Sequence, residues 1–261
     1  MTRILPALVA GLLLAGCSTI GKPEEPKTAS AEEMYREAQQ ELSEGNYASA
    51  VKRFEALSAR YPYGRYAQQA ELEIAYANYK DQEPTLALAA VDRFIKQYPA
   101  HPSVDYAYYL KGLINFLEDR TLFAAISRQD LSERDPRAAR ESFEAFRDLI
   151  TRFPNSRYAE DARDRLAFLV TALADHELHV ARYYYKRGAY LAAANRAKVV
   201  LENYSHTDRV ERALVMMSAA YDKLGMNELR DDSRRVLEKN YPNSKLTAEI
   251  VFADESWWKL W

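Results

Sequence analysis

An aromatic residue followed by proline returns at intervals along the chain, and it constrains the fold more than any other feature. The mark stands at Tyr61-Pro62, Tyr98-Pro99, Phe153-Pro154 and Tyr241-Pro242, with Tyr204-Ser205 as a degenerate fifth copy. Successive copies are 37, 55, 51 and 37 residues apart, so two intervals share one period and two carry insertions of 18 and 14. A period of that length predicts stacked two-helix units, each burying its apolar face only against its neighbours. Seventeen positions before the proline slot stands Gly45, Gly188 or Gly225 in the first, fourth and fifth copies. A tight turn between two helices needs a residue free to take positive φ at that point. In the second and third copies the slot holds Gln82 and Arg137, each near a proline (Pro84, Pro136) able to open the second helix instead.

Apolar residues in the second helices recur with helical spacing: Tyr47, Ala50, Val51, Phe54 and Leu57 in one, Tyr190, Ala193, Ala194, Ala197, Val200, Leu201 and Tyr204 in another. Seven positions before the turn a small residue recurs, at Ala38, Ala75, Ala181 and Ser218, where two helices must approach closely. Tyr184 and Tyr221 occupy the aromatic position of the first helix, from which Glu41 and Asn78 depart. This order of small residue, Gly, aromatic and Pro resembles a tetratricopeptide array. No alternating strand bounded by hairpin signals is present. The predicted fold is all-α, a superhelical solenoid of about five tetratricopeptide-like helix pairs. Ser30-Ala31-Glu32-Glu33 has capping-box spacing, so the first helix is expected to start there.

The N-terminus carries a different signal. Arg3 precedes an apolar run from Ile4 to Ala15, too short to span a bilayer as a helix, and small residues follow at a cleavage point. Leu14-Ala15-Gly16-Cys17 resembles a bacterial lipobox, in which the thiol is acylated and the peptide is cut just before it. Cys17 is the only cysteine, so disulfides are excluded by count and stability must come from packing. Residues 1–16 are thus expected to be a removed signal peptide. Cys17 would carry a diacylglycerol thioether and an N-acyl chain, and several chains make a stable tether where one does not. Ser18 rather than Asp follows the cysteine, which resembles the sorting signal for the outer membrane, with the body in the periplasm. Residues 17–30, with two prolines and almost nothing to bury, read as a flexible tether.

The whole chain has 36 basic and 38 acidic residues; without Arg3 the mature counts are 35 and 38, a net charge of −3. No nucleic-acid partner is indicated. There is no Gly-rich phosphate loop, no Gly-x-Ser-x-Gly elbow and no second cysteine for a metal. In His176-Glu177-Leu178-His179 the histidines are three apart, whereas the zinc-protease signature needs four, so the string reads as an ordinary surface pair. His101 and His206 read as loop residues. The chain is expected to be a non-enzymatic binding scaffold with no cofactor and no metal, because stacked helix pairs expose a long concave surface.

Several strings carry a closer resemblance: Arg60-Tyr-Pro-Tyr-Gly-Arg-Tyr-Ala-Gln-Gln69, Asp92-Arg-Phe-Ile-Lys96, His101-Pro-Ser-Val-Asp-Tyr106, Arg134-Asp-Pro136, Phe153-Pro-Asn-Ser156, and Arg187-Gly-Ala189 with Asn195-Arg196. With the lipobox and the repeats, they resemble the BamD family of lipoproteins, also called ComL or YfiO, over nearly the whole mature chain. The resemblance implies a scaffold of the β-barrel assembly machinery in the outer membrane of Gram-negative bacteria. Its implied partners are the barrel-forming subunit BamA through its last POTRA domain, other Bam lipoproteins, and unfolded outer-membrane β-barrel proteins. It also implies a division of labour. Residues 31–155, about three repeats with an inserted loop at 118–135, would form the substrate side, and residues 156–250, about two repeats, would dock on BamA.

Carried onto this chain, the family's pocket for the C-terminal targeting strand of substrates involves Tyr61, Tyr63 and Tyr66. Tyr61 has a second reading, packing between adjacent repeats. The family's BamA ion pair falls on Arg196, in a helix otherwise rich in Ala and Val; its second reading is a solvated charge. The insertion holds Leu122-Phe-Ala-Ala-Ile126, either a partner surface or a segment folded onto its own groove. The tail, residues 251–261, gathers all three tryptophans in Ser256-Trp-Trp-Lys-Leu-Trp261, and packing against a partner, packing on the last repeat and membrane contact all stay open. Some other lipidated tetratricopeptide adaptor, serving cell-wall synthesis or secretion, is the alternative function.

Overall fold

Each predicted mark ends a helix. The computed structural model describes residues 29–120 and 136–252, and all regular structure there is helical. The helices are α1 (Ala31–Ser43), α2 (Tyr47–Arg60), α3 (Arg65–Lys80), α4 (Pro84–Gln97), α5 (Val104–Arg120), α6 (Arg137–Arg152), α7 (Ala159–Lys186), α8 (Tyr190–Asn203), α9 (Arg209–Lys223), α10 (Asn227–Asn240) and the short α11 (Ala248–Phe252). Tyr61, Tyr98, Phe153 and Tyr241 are the C-caps of α2, α4, α6 and α10, with φ of −124°, −128°, −130° and −129°. A residue before proline is pushed out of the helical region by the proline ring, which is what stops each helix. Tyr204 closes α8 at φ −129° although serine follows it, so the fifth copy is functional as a stop.

The turns between paired helices share one geometry. Gly45, Gly188 and Gly225 adopt φ of 83°, 77° and 69°. In each case the next residue's N–H returns to the carbonyl five positions back, Asn46 to Glu41, Ala189 to Tyr184 and Met226 to Tyr221, the pattern of a Schellman motif. The second repeat departs from expectation. Pro84 does open α4, yet Gln82 itself takes the left-handed conformation at φ 61°, and Glu83 N–H donates to the Asn78 carbonyl as at the glycine turns. In the third repeat the slot residue Arg137 is already helical, with Pro136 as the N-cap. The predicted capping box is present: Glu33 N–H donates to Ser30 Oγ at 3.2 Å and Ser30 N–H to Glu33 Oε2 at 2.8 Å.

The small residues predicted at close approaches, Ala38, Ala75, Ala181 and Ser218, are all buried. Helices pack chiefly on their sequence neighbours, as a solenoid requires. The core runs in three clusters, centred on Phe54 and Phe94 in α1–α5, on Phe146 and Leu169 in α5–α7, and on Ala197 and Met216 in α7–α11. Gly112 allows α5 and α6 their approach: a Cβ there would lie 2.4 Å from the Phe146 ring, and Ser142 Oγ donates to the Gly112 carbonyl at 2.9 Å. The longer interval in the fourth repeat resolves into helix rather than loop. At 28 residues α7 is the longest element, and its extra turns pack against α9 and α11.

Cys17, the signal and most of the tether, Leu122 to Ile126 in the insertion, and the tryptophans of the tail lie outside the described residues. The first two residues of the tail segment are inside them. Val251 is buried, and the Phe252 ring stacks on Tyr185 with centroids 3.6 Å apart.

Candidate partner-binding surfaces

Two surfaces of opposite chemistry emerge from the repeat geometry, one on the first helices of the pairs and one where the second helices α6 and α8 flank α7. The first is aromatic. The Tyr35 ring of α1 lies 5.4 Å from Tyr66 at the start of α3 and 5.6 Å from Phe54, and its hydroxyl reaches Glu73 Oε1 at 3.3 Å. Tyr76 and Tyr79 follow on α3 with centroids 6.5 Å apart. Tyr158, just before α7, packs on Tyr106 at 5.3 Å and stacks on Tyr109 at 4.8 Å. Burial, and then the neighbouring Tyr76 and Glu73, push the Tyr106 phenol far above its ordinary range. Burial and the Glu73 carboxylate do the same to Tyr35. The tyrosines present apolar ring faces, and hydroxyls able to donate or accept, along one surface from the first repeat to the fourth.

The residues predicted for this region separate. Tyr66 joins the aromatic surface, with the Arg65 guanidinium 4.7 Å from its ring centroid and bonded to its hydroxyl at 2.8 Å. Tyr63 is 90% exposed in the loop before α3. Tyr61 turns to the N-terminus, where its hydroxyl donates to the Ala29 carbonyl at 2.9 Å and so holds the chain just before α1. No ring contact joins the three to one another. Sequence reading missed Tyr35, Tyr76, Tyr79, Tyr106, Tyr109 and Tyr158. The available signal was the composition: 19 tyrosines against 9 phenylalanines is an excess of aromatics that suit half-buried positions.

The second surface is ionic and centres on Arg196 of α8. Its Nη1 donates to Glu177 Oε2 at 3.0 Å, and Arg140 Nη2 of α6 donates to Glu177 Oε1 at 3.3 Å. Arg196 is thus half-exposed yet engaged: it has a partner within the chain, on the buried side of α7. Glu177 lies between the two histidines read as an ordinary surface pair and, unlike them, is buried. Attention to the histidine spacing passed over the carboxylate between them. Among the described residues no three His, Cys, Asp or Glu side chains are placed to hold a metal.

On another face of α7, a cavity of about 400 Å³ is lined by Asp175, His179 and Arg182 together with Arg209, Arg212 and Met216 of α9. Arg209 grips Asp175 through two N–H donors, at 2.7 and 3.0 Å. That fork holds two helices together and raises the Arg209 guanidinium above its ordinary range. No helix among the described residues is long and apolar enough to cross a membrane.

The profile of the family described as YfiO, outer membrane lipoprotein, matches residues 27–237. The protein named outer membrane protein assembly factor BamD in Neisseria meningitidis serogroup A is 46% identical, with all of both chains aligned. The proteins of that name in Xylella fastidiosa and Vibrio cholerae are 37% and 34% identical, over 93% and 91% of this chain and 83% and 98% of theirs. Among solved structures, MamA aligns with 77% of this chain and 91% of its own at 15% identity and a TM-score of 0.38, too loose a likeness to add to the repeat geometry. The chain belongs to the YfiO outer-membrane lipoprotein family, in which its full-length relatives are the BamD assembly factors.

Proposed function

We propose that the protein is an outer-membrane protein assembly factor that acts as a non-enzymatic scaffold, tethered by acyl chains on Cys17 with its repeats in the periplasm. The observation that carries this reading is the end-to-end similarity to BamD assembly factors. In this reading the second helix of the fourth repeat, α8, docks through Arg196 on the last POTRA domain of the barrel-forming BamA, and other Bam lipoproteins join the complex. The tyrosine surface of the first helices, with Tyr63 and Tyr66 at its N-terminal end and Tyr61 anchoring the approach to α1, receives the aromatic C-terminal strand of unfolded β-barrel substrates. Its phenols offer stacking faces together with donors and acceptors for a peptide backbone, which suits an extended apolar segment.

Depletion of the protein tests the function directly: β-barrel proteins should fall in the outer membrane, and Cys17→Ala should fail to restore them. Unchanged barrel levels on depletion would refute it. The docking contact is tested by binding of the acylated mature chain to the POTRA domains of the same organism's BamA. Arg196→Gln suits this test better than charge reversal, because a glutamate at 196 would face the buried Glu177 carboxylate and damage the fold.

A further inference from the structure

Among the described residues Glu177 is the one charged side chain that is buried, at 3% exposure. A carboxylate at that depth is sustained only by close cations and hydrogen bonds. It has two, one on each oxygen, and they come from the second helices of adjacent repeats: Arg140 of α6 on Oε1 and Arg196 of α8 on Oε2. One guanidinium would neutralise the charge. The second brings two like charges together over a single anion and leaves the cluster with a net positive charge. Both arginines remain open to solvent, at 51% and 42% exposure, and each guanidinium has five N–H donors, most of them unused by Glu177. The Tyr204 hydroxyl, in the field of Glu177 and Arg140, adds a neutral polar group at the edge. A second carboxylate on the outer side would relieve the repulsion between the cations and occupy the donors that Glu177 leaves free.

We propose that Arg140 and Arg196, spread over the Glu177 carboxylate, form one two-arginine receptor for an aspartate or glutamate of the protein that docks on the fourth repeat, with Glu177 as its positioning residue. This rests on the reading of Arg196 as a docking contact and adds Arg140 and Glu177 to it. The geometry requires the incoming carboxylate to meet two planar forks whose angle is set from beneath, which a lysine in either place would not reproduce.

The test is a double-mutant cycle on the acylated mature chain in detergent, with the POTRA domains of BamA as the probe and the helical signal and melting temperature recorded for every variant. Arg140→Gln and Arg196→Gln should each weaken binding about tenfold, and the double variant by well under the hundredfold product, because the two share one carboxylate. Arg140→Lys should restore only part of the loss. Glu177→Gln separates positioning from charge: it adds one positive charge to the site, so a purely electrostatic role predicts tighter binding to an acidic partner, whereas loss of positioning predicts weaker binding. Should that variant not fold, the arginine cycle decides alone. Wild-type binding that Arg196→Gln weakens and Arg140→Gln leaves unchanged would overturn the inference and keep the docking reading. Independent, multiplicative losses, or tighter binding by Glu177→Gln, would also overturn it. Failure of the wild type to bind would remove the docking reading and the receptor with it.

Discussion

Gln82 sits in a conformation that side chains with a Cβ adopt at a cost, and its turn shows what the repeat demands of one residue. The same backbone path and the same five-residue return bond occur at Gly45, Gly188 and Gly225, so the path belongs to the turn and not to glycine. Replacing Gln82 by glycine should therefore stabilise the fold by about 1 kcal/mol or less, the relief of left-handed strain being partly offset by a freer unfolded chain. A thermal melt that moves down would mean that the Gln82 side chain contributes more than the strain costs. The tyrosines give a second expectation. Phenols held neutral by burial ionise in the unfolded chain near pH 10 but not in the folded one, so the unfolded state loses protons first and stability falls as pH rises above 10. Below pH 10 these groups contribute no pH dependence. Tyr106→Phe should flatten the decline of melting temperature between pH 10 and 12, and an unchanged slope would count against a protected phenol.

Helix ends were legible in the sequence because they depend on local chemistry: proline excludes the helical region for the residue before it, and a left-handed turn joins the helices of the first, second, fourth and fifth pairs. Helix lengths were not. The 14 extra residues of the fourth repeat gave no sign that they extend α7, since an amphipathic helix and a polar loop can share one composition. Gly112 was also opaque, because its role is set by Phe146, on a different helix. Gly112→Ala should destabilise the protein by about 1–3 kcal/mol by driving a methyl group into that buried ring. Smaller Phe146 variants should rescue it, and a melt unchanged from wild type would show that the two helices can separate without cost. At the far end, α10 buries only Ser233 and leaves Leu229 and Val236 exposed. Its amides should exchange with solvent faster than those of α2, α4, α6 and α8, because local opening there exposes little apolar surface.

At the scale of the whole molecule the sequence foretold the architecture and only part of the surfaces. The all-α stack follows from a periodic pattern that each unit repeats, while the residues carried over by resemblance keep intramolecular partners, Tyr66 against Tyr35 and Arg196 on Glu177. The rest depends on contacts between units: six tyrosines from α1, α3, α5 and the approach to α7 form one face, and three charges from α6, α7 and α8 form one cluster. Neither is a local string. With Tyr76 on α3 and Arg196 on α8 sharing no contact, the two surfaces should behave independently. Tyr76→Ala combined with Arg196→Gln should show additive effects on peptide and POTRA binding within about 0.5 kcal/mol. The helix α7 touches both, with Tyr158 just before its first turn and Glu177 in its second half. Nineteen residues at 1.5 Å each put about 28 Å of rigid rod between them. That helix acts as a ruler, fixing the distance between the two surfaces, which under the proposed function is the distance from a held strand to the docking partner. Seven residues added to its middle would keep every face in register and lengthen that reach by about 10 Å, so distance can change while both binding chemistries stay as they are.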